Sequence, residues 1–249
     1  MAIFLLKKSY QANNQKEIGF KDLWGSHGVF TTIRLLGKPG KLILFKSHFK
    51  GLIKSLKRYK IYTKKIEKNI KHLIYSSIKK DINYDHLLRV ALTKKILSIS
   101  IRKRLKPRKN FELKILNYKR IDPVIKNLYY KKILKELNKY DPSKTDIALV
   151  YRGKILETCT SNILFFKNRE YFSPKNNCYI GNTIKYLKGK IKISFKDIYY
   201  RDLKKFDEIM LIGSGKGVTP VKYIKQMNWK SKNDFGYKKI IKYLNFKSL

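Results

Sequence analysis

Apolar and polar residues alternate along Gly28-Val-Phe-Thr-Thr-Ile-Arg-Leu-Leu36, and the run predicts a strand. Gly37-Lys-Pro-Gly40 supplies turn residues, so Lys41–Phe45 reads as the returning strand of a hairpin. The period then changes. Phe49, Leu52, Ile53, Leu56 and Tyr59 recur at helical spacing behind a Ser47 cap, and Ile66, Ile70, Leu73, Ile74 and Ile78 do the same behind a Thr63 cap. Leu87–Thr93 and Ile96–Ile101 predict two further strands, after which Lys103–Lys109, with Pro107 inside it, breaks both periods and reads as a linker. The second half begins with a strand around Phe111–Leu116 and a short apolar exit at Pro123-Val-Ile125. A helical pattern through Leu128, Ile133, Leu134 and Leu137 follows, then a buried strand over Asp146–Tyr151. A turn at Arg152-Gly153-Lys154 leads into Ile155-Leu-Glu157, then Asn162–Phe166, a bend at Ser173-Pro174, a helix starting at Thr183, and a strand Glu208–Ile212 that ends in Gly213-Ser-Gly-Lys-Gly217. The pattern predicts an α+β fold: an N-terminal domain over residues 1–105, a linker at 106–110, and a C-terminal domain over 111–249.

Composition changes this picture in one respect. Lys and Arg number 59 against 17 Asp and Glu, a formal charge of +42 on 249 residues, which raises the alternative of a basic nucleic-acid-binding protein. The distribution argues against it. Only ten of the cations are arginine, the lysines are scattered along the whole chain, and they accumulate with Ile, Asn and Tyr, all residues of A/T-rich codons. A base-composition bias that places Lys wherever a solvated residue is tolerated accounts for that pattern without a polyanion. Two cysteines and four unpaired histidines make neither a disulfide framework nor a metal site, so no metal is expected. The Ile3–Leu6 run stops at Lys7-Lys8, too short for a signal segment or a membrane span. The reading is a soluble, cytoplasmic protein.

Three constellations could carry chemistry. Gly213-x-Gly215-x-Gly217 follows a strand, so its backbone amides, with the Ser214 hydroxyl, could cradle a phosphate; an ordinary glycine turn reads equally well. Val218 stands where a dinucleotide fingerprint wants glycine, and the following Thr219-Pro220-Val221 reads as extended. Glu157 is a lone carboxylate among hydroxyls in Glu157-Thr-Cys-Thr-Ser-Asn162. If buried it needs a partner such as a protonated ring nitrogen; otherwise it is a turn acid among lysines. Gly181-Asn182-Thr183 sits at a helix start, an anion site by geometry or a simple cap.

Taken in order, Tyr151-Arg-Gly-Lys-Ile-Leu-Glu157-Thr-Cys-Thr-Ser-Asn162, Ser173-Pro174, Gly181-Asn-Thr183 and Gly213-Ser-Gly-Lys-Gly-Val-Thr-Pro-Val221 resemble the class IV aminotransferases. Gly25-Ser-His-Gly-Val-Phe-Thr-Thr-Ile-Arg34 and Phe45-Lys-Ser-His48-Phe-Lys-Gly-Leu52-Ile-Lys-Ser55 extend the resemblance over nearly the whole chain. It implies pyridoxal-phosphate fold type IV, with a smaller N-terminal α/β domain and a larger C-terminal domain around a mixed, barrel-like sheet. It also implies pyridoxal 5'-phosphate as cofactor, a small amino substrate and a homodimer.

The resemblance further implies a lysine that holds the cofactor, and 49 are available. Lys126 fits at the exit of an apolar segment, 31 residues ahead of Glu157. A helix of about a dozen residues runs roughly 18 Å and a strand of five or six returns as far, so the two can face one cofactor. Lys114, in Leu113-Lys-Ile-Leu-Asn-Tyr118, is the rival at 43 residues. By the same resemblance Glu157 pairs with the ring nitrogen. Asn182, Thr183, Gly213, Ser214 and Gly215 bind the phosphate, and Tyr130 or Tyr129 reaches the ring oxygen. One departure stands out: Gly51 occupies the place of the family's phosphate-binding arginine, which leaves Lys50 or Lys54 as substitutes and a degenerate paralogue as an alternative. Within the family, Phe30-Thr31-Thr32 resembles aminodeoxychorismate lyase more than the transaminases, which commonly carry Glu after that Phe. Branched-chain or D-amino-acid transaminase is the alternative, and Arg34, Arg102 and Lys94 are the candidate carboxylate binders.

Overall fold

The computed structural model describes residues 3–244, so the outermost ends of the two expected domains lie outside the described residues. The chain divides into two compact units. The first comprises the N-terminal part through Arg104 together with Ile125–Lys131; the second comprises Leu105–Val124 and the chain from Lys132 onward. The sequence placed a single linker at 106–110. The division differs in that a seven-residue segment carrying Lys126 returns to the first unit.

In the first unit β1 (Phe4–Gln11), β2 (Glu17–Ile18), β3 (Gly28–Gly37) and β4 (Lys41–Leu42) precede the helices α1 (Phe45–Arg58) and α2 (Lys64–Ser76), and β5 (Tyr84–Thr93) and β6 (Ile96–Lys103) follow. The strands form one six-stranded sheet in the order β2-β1-β6-β5-β3-β4, every pairing antiparallel. Alternation decides its faces. Val29, Ile33, Leu35, Leu88, Val90, Leu92, Leu97, Ile99 and Ile101 point to one side, where Leu52, Leu56, Ile70 and Ile74 of the helices close a core of almost wholly buried side chains. Thr63 caps α2 as its position suggested, accepting from the Ile66 amide. Ser47 does not cap α1. That helix begins three residues earlier than a Ser47 cap would give, after Leu44 in the left-handed conformation, because Phe45 packs against Phe49 and Tyr75. Lys41–Phe45 is therefore strand for two residues only. β1 escaped the pattern because Phe4-Leu5-Leu6 are adjacent rather than alternating, and only two of its eight residues are buried.

The second unit holds β7 (Phe111–Asn117), α3 (Lys131–Leu137, whose first residue belongs to the first unit), β8 (Thr145–Tyr151), β9 (Lys154–Thr158), β10 (Asn162–Lys167) and β11 (Glu170–Pro174). After these come α4 (Asn182–Lys188), β12 (Ile193–Lys196), β13 (Ile198–Tyr199), β14 (Glu208–Gly213), β15 (Gly217–Ile224), β16 (Trp229–Lys230) and α5 (Phe235–Ile241). Its ten strands make one mixed sheet, β12-β11-β10-β14-β15-β7-β8-β9-β13 with β16 on β15; the parallel pairs are β11–β12, β15–β7 and β7–β8. Phe111, Phe165, Ile209, Leu211, Val221 and Ile224 are its fully buried centre. Ser173-Pro174 is strand rather than bend, paired with Phe195 and Lys196 of β12; Pro174 is the last residue of β11 and lies beyond its pairing with β10, so its missing donor breaks no bond there. No helix of the described residues is long and apolar enough to cross a membrane.

Candidate active site

In the second unit the ends of β9, β10 and β14 and the head of α4 carry the polar residues singled out by the motifs. Glu157 lies in β9 and is 6% exposed. Its Oε1 accepts from Arg120 Nε at 2.7 Å, and its Oε2 accepts from the Tyr179 amide at 3.4 Å. Arg120 is among the largest fully buried side chains of the molecule, and a second guanidinium nitrogen donates to the Pro123 carbonyl at 2.5 Å. The sequence did not mark Arg120. The signal available was the choice of arginine itself: in a chain that fills its surface with lysine, a planar guanidinium fork suits a planar partner. Burial raises the Tyr179 phenol, and the Arg120 charge partly offsets that rise. Burial also raises the Cys159 thiol, and it pushes Cys178 up to about 12, so neither is a ready nucleophile.

Asn162, at the start of β10, ties the loop before α4 in place. It donates to the Tyr179 carbonyl at 2.6 Å and accepts from the Gly181 amide at 2.9 Å. Gly181 must be glycine for this, since a Cβ there would stand 2.7 Å from the Asn162 oxygen. Asn182 and Thr183 follow directly, both buried, so α4 starts one residue before the expected Thr183. Gly213 closes β14 beside Ser161, whose Oγ a Cβ would meet at 3.2 Å, and the half-buried turn Ser214-Gly215-Lys216 leads to Gly217 at φ 67°. Beneath this end lies Asp146, wholly buried and also unmarked by the sequence. It accepts from the hydroxyls of Thr158 at 2.9 Å and Thr160 at 2.6 Å and from the Ile147 amide at 2.8 Å, with the Lys216 ammonium 3.7 Å away. The acid holds the Glu157–Ser161 turn through its hydroxyls. A carboxylate at the head of an apolar strand was its available signature.

The first unit holds the other part of the prediction. Residues 125–130 run extended beside β3 rather than as the start of the expected helix: Phe30 N donates to the Lys126 carbonyl at 2.8 Å, and Leu128 N to Gly28 O at 2.9 Å. Leu128 and Asn127 are fully buried there, which is why the apolar period through Leu128 does not become helix. The Lys126 ammonium stands 4.9 Å from the centre of the Phe30 ring. Tyr130 packs edge-on against the same ring at 5.3 Å, whereas the Tyr129 hydroxyl bonds His27. Lys114 lies elsewhere, in the middle of β7 with its ammonium 2.6 Å from Glu112. The position held by Gly51 lies one turn beyond His48 on α1, and Lys50 and Lys54 beside it are both exposed.

Thr31 and His48, joined Oγ1 to Nδ1 at 2.9 Å, are buried between β3 and α1. Burial, and then the charge of Lys126, push the His48 pKa down from 6.5 to about 3, so the imidazole is neutral. The unfolded chain takes up that proton near 6.5 and the folded one refuses it until about 3, so this stability is whole above 6.5 and declines as pH falls towards 3. The slope is at most about 1.4 kcal/mol per pH unit. Denaturant midpoints at pH 7 and pH 4.5 should fall further apart in the wild type than in His48→Asn; equal separations would refute the buried neutral state.

These residues fit pyridoxal phosphate by their chemistry. A carboxylate buried against a guanidinium suits a protonated ring nitrogen. The amides and hydroxyls at the head of α4 and in the glycine turn suit phosphate oxygens, and a lysine beside an aromatic ring suits the aldehyde. Among the described residues no group of three or more His, Cys, Asp or Glu is placed to hold a metal ion. The amino-transferase class IV family profile matches residues 28–224. No match is found among curated protein sequences. Among solved structures, the chain is similar to a branched-chain aminotransferase from Thermoproteus uzoniensis with norvaline (TM-score 0.76, 16% identity, 98% of this chain and 94% of that one). It is similar also to an aminotransferase from Brucella abortus bound to pyridoxal phosphate (0.73, 17%, 98% of each). A provisionally assigned 4-amino-4-deoxychorismate lyase from Legionella pneumophila is a third (0.71, 15%, 88% and 91%). At these identities the likeness is one of fold: two sheets with few helices, the fold type IV architecture.

Proposed function

The chain belongs to the class IV aminotransferase family of pyridoxal-phosphate enzymes, and from that premise we propose that it is a lyase of the aminodeoxychorismate type, converting 4-amino-4-deoxychorismate to 4-aminobenzoate and pyruvate, a step towards folate. The observation that carries this reading is the residue after Phe30. It is Thr31, an uncharged side chain whose hydroxyl is taken up by a neutral His48. No carboxylate stands there, where the transaminase pattern has Glu.

Bound pyridoxal phosphate supplies the electron sink that lets a proton leave the amine-bearing carbon. The remaining work falls to the chain. With the cofactor bound, Lys126 would be the residue that holds its aldehyde carbon, and the Lys126 amine, when free, would accept the proton from the amine-bearing carbon. Glu157, fixed by Arg120, keeps a proton on the ring nitrogen. The turn at Ser214 and the head of α4 bind the phosphate and hold the ring in register. One substrate yields two products whose atoms sum to it, so no second substrate is needed. The test is pyruvate release from aminodeoxychorismate with cofactor present and no keto acid added. Turnover that appears only when a keto acid is supplied, with transfer of the amino group, assigns a transaminase instead.

A further inference from the structure

Two turns of the second unit carry residues assigned above to the cofactor. Glu157 precedes the turn Thr158–Ser161, and Ser214 and Gly215 lie in the loop between β14 and β15. One wholly buried carboxylate, Asp146 of β8, meets both. Its Oδ2 accepts from the Thr158 hydroxyl at 2.9 Å and the Thr160 hydroxyl at 2.6 Å, and the Thr158 oxygen accepts in turn from the Ser161 amide at 2.8 Å. The Lys216 ammonium stands 3.7 Å from that same Oδ2.

Lys216 is held at both ends. β14 and β15 pair as far as Gly213 opposite Gly217, so the loop between them is only Ser214-Gly215-Lys216, and Gly217 at φ 67° supplies the left-handed residue that such a hairpin needs. The Lys216 carbonyl accepts from the buried Thr219 hydroxyl at 3.2 Å. Its ammonium, besides facing Asp146, donates to the Pro142 carbonyl at 3.4 Å and lies 4.5 Å from the centre of the Phe111 ring. The side chain is 11% exposed, that of Asp146 0%. A base-composition bias puts lysine where water receives it and does not account for one turned inward onto a buried acid. Hairpin geometry needs no cation there either. Drawing the two charges apart would leave each without its partner in the interior, so the pair ties the loop at a set distance from the Thr158–Ser161 turn.

We propose that Lys216 is a positioning residue: through Asp146 it fixes the phosphate-binding loop relative to the turn that follows Glu157, the ring-nitrogen acid. The proposal rests on the pyridoxal-phosphate reading of the site. Ring nitrogen and phosphate belong to one small molecule, so a ligand that meets both turns reads their separation, and such groups must be held within about 0.5 Å to act together. Pyridoxal, which has no phosphate, meets only the Glu157 side and is indifferent to the link.

The test compares the wild type with three variants. Lys216→Met keeps an apolar stem over Phe111 and removes the charge, Lys216→Arg keeps the charge, and Thr160→Val cuts the link at its other end without touching Lys216. Asp146 retains the Ile147 amide in all three, so they should fold, and Thr160→Val carries the test if Lys216→Met does not. Amide hydrogen exchange on the cofactor-free protein reads the link itself: the loop from Ser214 to Gly217 should exchange faster in Lys216→Met while β8 keeps its protection. Titrations followed by visible absorbance read its consequence. Lys216→Met should bind pyridoxal 5'-phosphate about tenfold more weakly or worse, with pyridoxal affinity within about twofold of the wild type, and Lys216→Arg should recover most of the loss. Thr160→Val should show the same selective loss, smaller because Thr158 still holds Asp146. A pair that served stability alone would lower the urea midpoint and leave both affinities unchanged, which overturns the proposal. Unchanged loop exchange in Lys216→Met, or equal loss for the two ligands, overturns it also. A wild type whose loop depends on Lys216 but which shows no cofactor band refutes the cofactor reading, and with it the positioning role. A wild type with the band, beside a Lys216→Met that binds both ligands as well, refutes the positioning role alone.

Discussion

Lys126→Ala should fold, take up pyridoxal phosphate without developing the visible band of a cofactor joined to lysine, and lose turnover by about four orders of magnitude or more. Lys114→Ala should keep both. The segment carrying Lys126 is held by its backbone and by its neighbours: the Lys126 carbonyl accepts from Phe30, Leu128 bonds Gly28, and Ile125, Asn127 and Leu128 are buried. Removing the lysine side chain therefore leaves the segment in place and deletes only the amine beside Phe30. Lys114 has its ammonium against Glu112 on the same strand in the second unit, so its loss removes that ion pair and leaves the segment carrying Lys126 untouched. A band that survives in Lys126→Ala and disappears in Lys114→Ala would reverse the assignment. No band in the wild type, with excess cofactor, would favour a degenerate paralogue and give weight to Gly51.

How far such positions can be read from sequence depends on what fixes them. Periodicity found β3, β5, β6, β8, β10 and β14 because each buries alternate or successive apolar residues in a sheet. It failed where an apolar residue serves another element. Leu128 continues a helical period towards Ile133, yet its amide and side chain belong to β3, so α3 starts only at Lys131. The motif residues Glu157, Asn182, Thr183 and Gly213–Gly215 were visible because turn and strand-end chemistry leaves a local signature. Arg120, Asp146 and the Thr31–His48 pair were not, since each is defined by a partner distant in sequence: Arg120 and Glu157 are 37 residues apart. Arg34 and Arg102 were named from the sequence, but that they share one face with Arg89 follows from register, because the three become neighbours only when three strands align.

The buried pair in the second unit leads to the second large effect. Arg120→Ala should destabilise the protein by about 3–5 kcal/mol, because it takes from Glu157, 6% exposed, the guanidinium held 2.7 Å away. Glu157→Gln strands Arg120 in the same way, though the retained amide and the Pro123 carbonyl still accept hydrogen bonds, so its cost should be smaller. Removing both charges is the informative step. In Arg120→Met with Glu157→Gln the uncompensated ion is gone and an apolar side chain of similar length fills the space, so most of the stability lost in Arg120→Ala should return. Activity should not return with it, because a neutral amide in place of the Glu157 carboxylate cannot hold a proton on the ring nitrogen. Denaturant midpoints of the three variants, with turnover on the same preparations, separate the structural part of the pair from its chemical part. If Arg120→Ala lies within about 1 kcal/mol of the wild type, water reaches Glu157 and the pair is not the closed unit described here. A double variant that regains both stability and turnover would show that the Glu157 carboxylate serves the fold and not the reaction.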